Sequence, residues 1–261
     1  MNTLGVILRA ELRSLARNRW LAAYAAVFFL IAEGLFFFGG TGPQVVLSLL
    51  NAMLLIAPLV CLVFGTIHVY ASREFVELLL AQPVPRASLF TGLYCGLALP
   101  LTAALLAGVC LPFALHGAGG GLGALLLLAL AGTALSFTFS AIATLIALRT
   151  DDRLRGVGLA LGVWLASTLV YDALVLAATA AFGDWPLEKP LLAAMLFNPV
   201  DVARMLVLTR LDVTALLGYT GAVFHRTFGT ALGISVSLLA LTAWSAVPFW
   251  LARRRFSSRD F

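Results

Sequence analysis

The sequence has little charge and almost no lysine. Charged residues make up 11% of its 261 residues, and Lys189 is the only lysine. A phosphate-binding P-loop needs glycines followed by Lys-Ser or Lys-Thr, whereas Lys189 stands between Glu188 and Pro190. This chain therefore cannot bind ATP through a P-loop, and we expect it to hold no cofactor of its own.

Motifs of catalysis and metal binding are also missing. No HExxH or GxSxG pattern occurs, which disfavours an intramembrane enzyme. The cysteines lie in apolar runs without CxxC or Cys/His spacing, so we predict that they pack as small buried side chains. They are Cys61, Cys95 and Cys110.

Hydrophobic residues, by contrast, make up 62% of the chain, far above the roughly 45–50% of a soluble domain. The apolar runs reach about 19 to 27 residues, enough for helices to cross a hydrocarbon core of about 30 Å. They do not alternate as outer-membrane strands would. We predict an all-α polytopic membrane protein with six transmembrane helices.

One transmembrane domain should occupy residues 1–261. It should begin with an amphipathic helix on the membrane surface over residues 1–19, where leucines recur at helical spacing beside arginines. The predicted spans are Trp20–Phe38, Gln44–Tyr70, Ser88–Leu115, Leu122–Leu148, Gly156–Phe182 and Gly229–Leu251.

The net charge of +5 is distributed as the positive-inside rule requires. The segment before span one, the loops after spans two and four, and the tail contain thirteen arginines, and the two short turns on the other side contain none. We therefore predict a bacterial inner-membrane protein with both termini in the cytosol. The charge is a matter of topology and lipid contact, and we expect no nucleic-acid partner.

The loop after span two, residues 72–86, predicts a short cytosolic helix. Ser72 is a candidate N-cap, and Glu74 and Glu77 complement the positive helix N-terminus. Pro83 and Pro85 limit the helix to about ten residues. The two acids should form a narrow polar stripe available to a partner, although a simple amphipathic connector is the alternative.

Residues 183–228 form a long outer segment whose apolar pieces, divided by prolines, are too short to span. Asn198 followed by Pro199 predicts a helix start, with Asp212 or Thr214 capping another helix. We expect short helices on or dipping into the outer leaflet and a periplasmic partner. The candidate contacts are Asp184, Asn198, Asp201, Met205, Asp212 and His225.

Met205 and His225, together with Met195, have side chains of the kind that bind copper. Met195, Met205 and His225 are spaced ten and twenty residues apart, which favours packing over a metal site.

Two acidic residues lie inside predicted spans, where ionisable groups are functional candidates by default. Glu33 is close enough to the outer end of span one to reach the surface. Asp172 lies deeper in span five and either lines a path or pairs with Tyr171 or an arginine of the outer segment. Glycine pairs at i, i+4 also recur and predict close packing between spans, at Gly92/Gly96, Gly158/Gly162 and Gly229/Gly233.

The loop after span two carries the pattern Glu74-x-x-Glu77-x-Leu79-x-x-x-Pro83-Val84-x-Arg86. It resembles the signature that follows the second span in ABC-2 type permeases. The resemblance implies a coupling helix that sits in a groove of a separate ATPase subunit. The implied coupling residues are Arg73, Glu74, Phe75, Glu77, Pro83 and Arg86. It also implies a second permease copy and two cytosolic ATPase chains, which bind the ATP and Mg.

Within that family, residues 72–83, 197–205 and 211–224 resemble the permeases that serve the maturation of nitrous-oxide reductase, a periplasmic copper–sulfide enzyme of denitrification. This implies a periplasmic subunit and, beyond it, a copper-chaperone lipoprotein as partners. Two alternatives stay open. One is an ABC-2 exporter of a lipid, glycan or drug, and the other is an ion-coupled transporter or membrane scaffold without an ATPase.

Overall fold

The computed structural model describes residues 19–81, 85–117, 119, 121–182, 188–209, 211 and 218–258, and this part of the chain is helical without strands. The predicted surface helix over residues 1–19 lies outside it except for Arg19. The helices are α1 (Arg19–Phe37), α2 (Gly42–Ala71), α3 (Arg73–Leu80), α4 (Arg86–His116), α5 (Leu122–Arg149), α6 (Arg153–Leu165), α7 (Tyr171–Ala181), α8 (Glu188–Leu196), α9 (Pro199–Leu208) and α10 (Gly218–Ser257). A π-helical turn, Ala166–Val170, joins α6 to α7.

Six helices are long and apolar enough to cross a membrane, which confirms the predicted all-α, six-span fold. They are α1, α2, α4, α5, the α6–α7 unit (Arg153–Ala181) and residues Ala231–Ser257 of α10. The chain is therefore a multi-pass membrane protein. We call the end of the bundle where α2 ends and α4 begins the arginine-rich end, because Arg73, Arg86 and Arg149 lie there.

The central helix is α5, which packs against α2, α4, α9 and α10. Helices in lipid associate through close packing rather than through the hydrophobic effect. Gly132 of α5 allows such packing, since a Cβ there would lie 2.6 Å from Leu105 Cδ2 and 2.8 Å from Met53 Sδ. By contrast, α1, α6–α7 and α10 leave most of their surface uncovered by this chain.

The last helix is longer than predicted. It begins at Gly218, eleven residues before the predicted start at Gly229. The prediction followed the apolar stretch, but residues 218–229 contain no proline, and a helix needs only its own backbone hydrogen bonds to continue. Part of the predicted outer segment is thus the first three turns of α10.

Within the described part of the outer segment, helix α9 enters the bundle instead of lying on it. Every residue of α9 except Arg204 is buried, against α5, α10 and α2. The Trp244 indole donates to the Leu196 carbonyl at 2.9 Å, and the Asn198 amide donates to the Ser167 carbonyl at 2.8 Å. Trp244 and Ser167 are the central residues of the spans Ala231–Ser257 and Arg153–Ala181.

The turn from α8 to α9 therefore lies at about half the depth of the bundle. Non-helical backbone at such depth is tolerated where protein surrounds it, and the two hydrogen bonds supply the partners that water cannot. Of the two predicted positions, on the leaflet or dipping into it, the structure shows the second.

Candidate functional site

The predicted coupling helix is α3, which ends at Leu80 after eight residues rather than about ten. The predicted side-chain cap at Ser72 is not formed. Ser72 has helical backbone angles (φ −85°, ψ −2°), and its hydroxyl donates back to the His68 carbonyl at 2.9 Å. The chain thus passes from α2 into α3 through one near-helical residue, which keeps the two helices closely linked.

The inner face of α3 is apolar. Val76 is buried in a cluster with Leu89, Phe90, Ala252 and Phe256, so that α3 packs on the start of α4 and the end of α10. This packing decides which face of α3 looks outward.

The outer face of α3 mixes acidic and apolar side chains. Glu74, Phe75, Glu77 and Leu78 are exposed, Phe75 by 41% and Leu78 by 69%. Positions i, i+1, i+3 and i+4 lie on one side of a helix. Glu74 and Glu77 lie next to each other on one stripe, and the exposed Phe75 and Leu78 adjoin that stripe on one side, so the outer face is wider than the two acids. That a partner binds the stripe stays a prediction. An apolar centre beside charged groups is the usual composition of a protein interface.

Arg73 ties α3 to the end of α5. Its Nη2 donates to the carbonyls of Ala147 (2.9 Å) and Thr150 (2.8 Å), and its Nη1 donates to that of Asp151 (3.1 Å). The last carbonyls of a helix have no partner within the helix and carry its negative dipole end. A cation therefore suits this place, and Arg73 faces the bundle rather than the outside.

Tyr70 reinforces this tie. Its ring lies under the Arg73 guanidinium at 4.5 Å, and its hydroxyl donates to the Thr150 carbonyl at 2.9 Å. A Cβ on Gly156 would lie 2.1 Å from that hydroxyl oxygen, so only glycine leaves room for it. Helix α3, the end of α5 and the start of α6 are thus held as one unit, which we call the coupling unit (residues 70–80 and 147–156).

Arg86 makes a second connection at this end, donating from Nη1 to the Ser257 carbonyl at 2.9 Å and so joining the start of α4 to the end of α10. Pro83, the remaining predicted coupling residue, lies outside the described residues. The structure therefore brings Arg73, Glu74, Phe75, Glu77 and Arg86 to one end of the bundle. Arg73 faces the bundle, Arg86 binds the end of α10 from an exposed position, and the other three side chains point outward.

An ion cluster lies in the other half of the bundle. Arg204 of α9 contacts Asp172 of α7 through Nη2 and Asp201 through Nη1, both at 3.0 Å. The Tyr171 hydroxyl donates to the Ala194 carbonyl nearby. Acids within the membrane are costly unless paired. Pairing of Asp172 with an arginine of the outer segment is one of the alternatives that the sequence leaves open, and that arginine is Arg204. A role of Asp172 in lining a transport path stays a prediction.

The other candidates are scattered. Glu33 Oε1 lies 3.7 Å from His116 Nδ1, towards the end opposite to Arg73. Asn198, Asp201 and Met205 are buried within the chain, which favours packing for them, and partner contact stays a prediction. Asp184, Asp212 and the side chain of His225 lie outside the described part.

Within the residues that the structure describes, no group of three or more His, Cys, Asp or Glu side chains could hold a metal. Met195 and Met205 are both buried among apolar side chains.

Sequence reasoning missed Tyr70 and Gly156. Both flank charged loops, but nothing in the spacing of two residues 86 positions apart shows that they touch. It also did not single out Arg204, which is the one residue of α9 that is not buried. The signal available in the sequence was a single cation three positions after Asp201 in an otherwise apolar helix.

Comparison with known proteins agrees with this geometry. Residues 44–261 match the family described as ABC-2 family transporter protein, so the chain belongs to the ABC-2 family and is a permease subunit of an ABC transporter. Permeases of this class lack an ATPase site of their own and work with ATPase partner subunits.

Two relatives align over 99% of both chains. One is the probable ABC transporter permease protein NosY of Stutzerimonas stutzeri, at 29% identity, and the other is that of Pseudomonas aeruginosa strain PAO1, at 28%.

Proposed function

We propose that this permease serves the maturation of the copper–sulfide centre of nitrous-oxide reductase. It would couple ATP hydrolysis by separate ATPase subunits to transport or to mechanical action on a periplasmic partner. The full-length similarity to the two NosY permeases supports this role. So do the resembling stretches 72–83, 197–205 and 211–224.

The observation that carries the mechanism is the two-sided geometry of α3. Its outer face offers Glu74, Phe75, Glu77 and Leu78 to an ATPase groove. On its other side Arg73 holds the end of α5 through three carbonyls. Movement of an ATPase against α3 would therefore reach the central helix directly, without passing along α2.

From α5 the movement can continue to the outer half of the molecule. Helix α5 packs along α9, and Arg204 of α9 binds Asp172 of α7. A push on the coupling unit would shift α5 against the inserted helix pair α8–α9. The segment that carries the predicted contacts to a periplasmic subunit would then move with it.

We propose the following assembly. The arginine-rich end faces the cytosol, following the positive-inside rule, so that α3 meets the ATPase chains there. Two copies of the permease bind two ATPase subunits with ATP and Mg, and a periplasmic subunit binds the outer segment. A copper-chaperone lipoprotein delivers copper to this complex.

The experiment is deletion of this gene in its host followed by complementation. The proposal expects nitrous-oxide reductase to accumulate without its copper–sulfide centre, and the unaltered gene to restore copper content and N2O reduction. A copper-loaded, active reductase in the deletion strain would exclude the maturation role. Loss of a lipid or glycan from the cell surface would then favour the exporter, and normal function without any ATPase gene would favour the ATPase-free alternative.

A further inference from the structure

Two depressions lie along α4 and α10, one after the other. At the arginine-rich end, a cavity of about 260 Å³ is lined by Arg86, Trp250, Arg253 and Arg254, among others. Further into the bundle, an open groove of about 480 Å³ lies between α4, α5 and α10. Most of its lining is apolar, as Leu130, Phe137, Leu238, Leu241, Ala246 and Phe249 illustrate.

The cavity is suited to an anion at a membrane boundary. Three of its lining residues are arginines, and among the described residues no carboxylate lines it. The Arg254 guanidinium lies over the Trp250 ring at 3.7 Å, which fixes its position. Tryptophan favours the membrane–water boundary, and arginine binds phosphate through two parallel hydrogen bonds. A phosphate group is therefore the anion that the cavity fits.

The lining residues of the groove and of the cavity follow one another along one face of α10. Thr242, Ala246, Phe249 and Arg253 follow one another at intervals of three or four residues, which lie on one side of a helix. The eleven helical rises from Thr242 to Arg253 measure about 17 Å along the helix. This is close to half of the roughly 30 Å hydrocarbon core, so the cavity and groove together have the length of a lipid in one leaflet.

We propose that the cavity and the groove together form a binding site for an anionic phospholipid, with its phosphate on Arg253 and Arg254 and an acyl chain in the groove. The site joins the start of α4 to the end of α10, two of the helices on which α3 packs. The bound lipid holds the surface beneath the coupling helix together. This site goes beyond the proposed transport role, and its test does not depend on that role.

Lipid binding is measured on the full chain, purified in detergent and stripped of lipid, by native mass spectrometry during titration with phosphatidylglycerol or phosphatidylcholine. Phosphatidylglycerol should bind more tightly. Each arginine near a membrane surface strengthens the binding of an anionic lipid by about fivefold. The double variant Arg253→Gln, Arg254→Gln should therefore weaken it about twenty-five-fold. The matched control, Arg153→Gln with Arg155→Gln, removes the same charge from exposed positions of α6 and should bind as the unaltered chain does.

The acyl part is tested by filling the groove. Ala246→Phe places a ring in the groove, whereas Ala243→Phe adds the same ring at an exposed position of α10 outside the groove lining. Only the first should lower phosphatidylglycerol binding. Glycerol phosphate, the same headgroup without acyl chains, should compete weakly.

Three results would overturn the proposal. Equal loss in the Arg153/Arg155 control would show general attraction of anionic lipid to a basic surface. Strong binding of glycerol phosphate, unaffected by Ala246→Phe, would show a site for a soluble phosphate compound. Release of a second permease copy by Ala246→Phe, with lipid binding unchanged, would show that the groove is a subunit interface.

Discussion

At the scale of single residues, the most consequential side chain is Arg73. One guanidinium contacts carbonyls at positions 147, 150 and 151, although Arg73 itself belongs to a helix that begins 74 positions earlier. The planar fork of arginine can serve several acceptors at once, which the single ammonium of lysine at the end of a flexible stem cannot do equally well. Charge alone therefore does not explain the choice of residue here.

Arg73→Lys should leave ATPase binding intact but weaken the coupling of ATP hydrolysis to the action of the permease. The outer face of α3 is unchanged, so we expect the variant to retain its ATPase subunits. Losing two of the three carbonyl bonds should loosen the coupling unit by about 2 kcal/mol, and transport or maturation should fall while ATP hydrolysis continues. The measurement is the ratio of hydrolysed ATP to matured enzyme.

Arg19→Lys, at an exposed position of α1 outside the coupling unit, is the control and should leave that ratio unchanged. If Arg73→Lys behaves in the same way, the tie to α5 has no part in coupling.

Substitution of Glu77 tests the outer face of α3, which lies opposite to Arg73. A charge reversal inside a packed interface can cost several kcal/mol, whereas an exposed ion pair is worth about 0–1 kcal/mol. Glu77→Lys should reach the membrane at normal abundance, because the side chain is exposed in this chain. It should hold its ATPase weakly, as measured by co-purification, and fail to support maturation.

Glu77→Gln removes the charge without reversing it and should give an intermediate yield of the complex. Glu188→Lys, the same charge change in the outer segment, should retain the ATPase in full. Full yield and activity of Glu77→Lys would mean that α3 is a passive connector, with the Arg149–Arg155 loop the next docking candidate.

At the scale of elements, local sequence signals predicted which segments form helices, but they did not predict what each helix packs against. Pro83, Pro85 and the acids of the first turn define α3 from sequence alone, because each acts within a few residues. Which face of α3 looks outward depends on Val76 meeting Leu89, Phe90 and Phe256. Those contacts are tertiary, so the exposure of Phe75 and Leu78 had no signal in the periodicity.

The insertion of α9 into the bundle likewise depends on tertiary contacts that the sequence pattern does not show. Asn198 was predicted as an N-cap and is one, since its Oδ1 accepts from the Val200 amide at 3.0 Å. The depth of the helix, however, is set by bonds to Ser167 and Trp244, which are 31 and 48 positions from their partners. Apolar length separates spans from short helices, but it cannot tell a helix on the surface from one inserted in the bundle.

Arg204 is predicted to hold α9 in the bundle. Arg204→Met would leave Asp172 and the buried Asp201 without their cation. Because the Arg204 and Asp172 side chains are 31% and 40% exposed, we expect a cost of about 1–3 kcal/mol, below that of a fully buried ion pair. We expect lower thermal stability in detergent and faster proteolysis of residues 183–217. The measurement is the unfolding midpoint together with the digestion rate.

Restoring neutrality should reverse this loss. The triple variant Arg204→Met, Asp172→Asn, Asp201→Asn removes all three charges and should recover most of the stability. Should the triple variant be as unstable as Arg204→Met, lost packing of the long arginine stem is the cause, and charge pairing is not.

At the scale of the whole molecule, the arrangement of arginines predicts which way the bundle faces. Reporter fusions after Phe261 and near Gly119 should report opposite sides of the membrane, with the C-terminus in the cytosol. The six candidate spans require opposite sides because an odd number of spans separates the two points. Reports from the same side would contradict the six-span topology.

The surface of the bundle also predicts how two copies meet. Gly158 and Gly162 were expected to contact another span, yet a Cβ on either would have nothing within 4 Å among the described residues. Both lie on α6 in the span that this chain covers least. Paired small residues allow close approach of helices in lipid, so we predict that this face meets the same face of a second copy in a two-fold pair.

Gly162→Leu should therefore weaken the pair, because the added side chain holds the two backbones apart. The measurement is the mass of the detergent-solubilised complex, expected to fall from two permease copies to one. Gly34→Leu is the matched control: Gly34 lies on α1, also with nothing within 4 Å of a Cβ, so the same volume enters open space. A complex that contains a single permease with an intact ATPase pair would contradict the homodimer. A dimer that Gly162→Leu and Gly34→Leu leave equally intact would instead place the contact on another face, with the exposed side of α10 as the surface left to test.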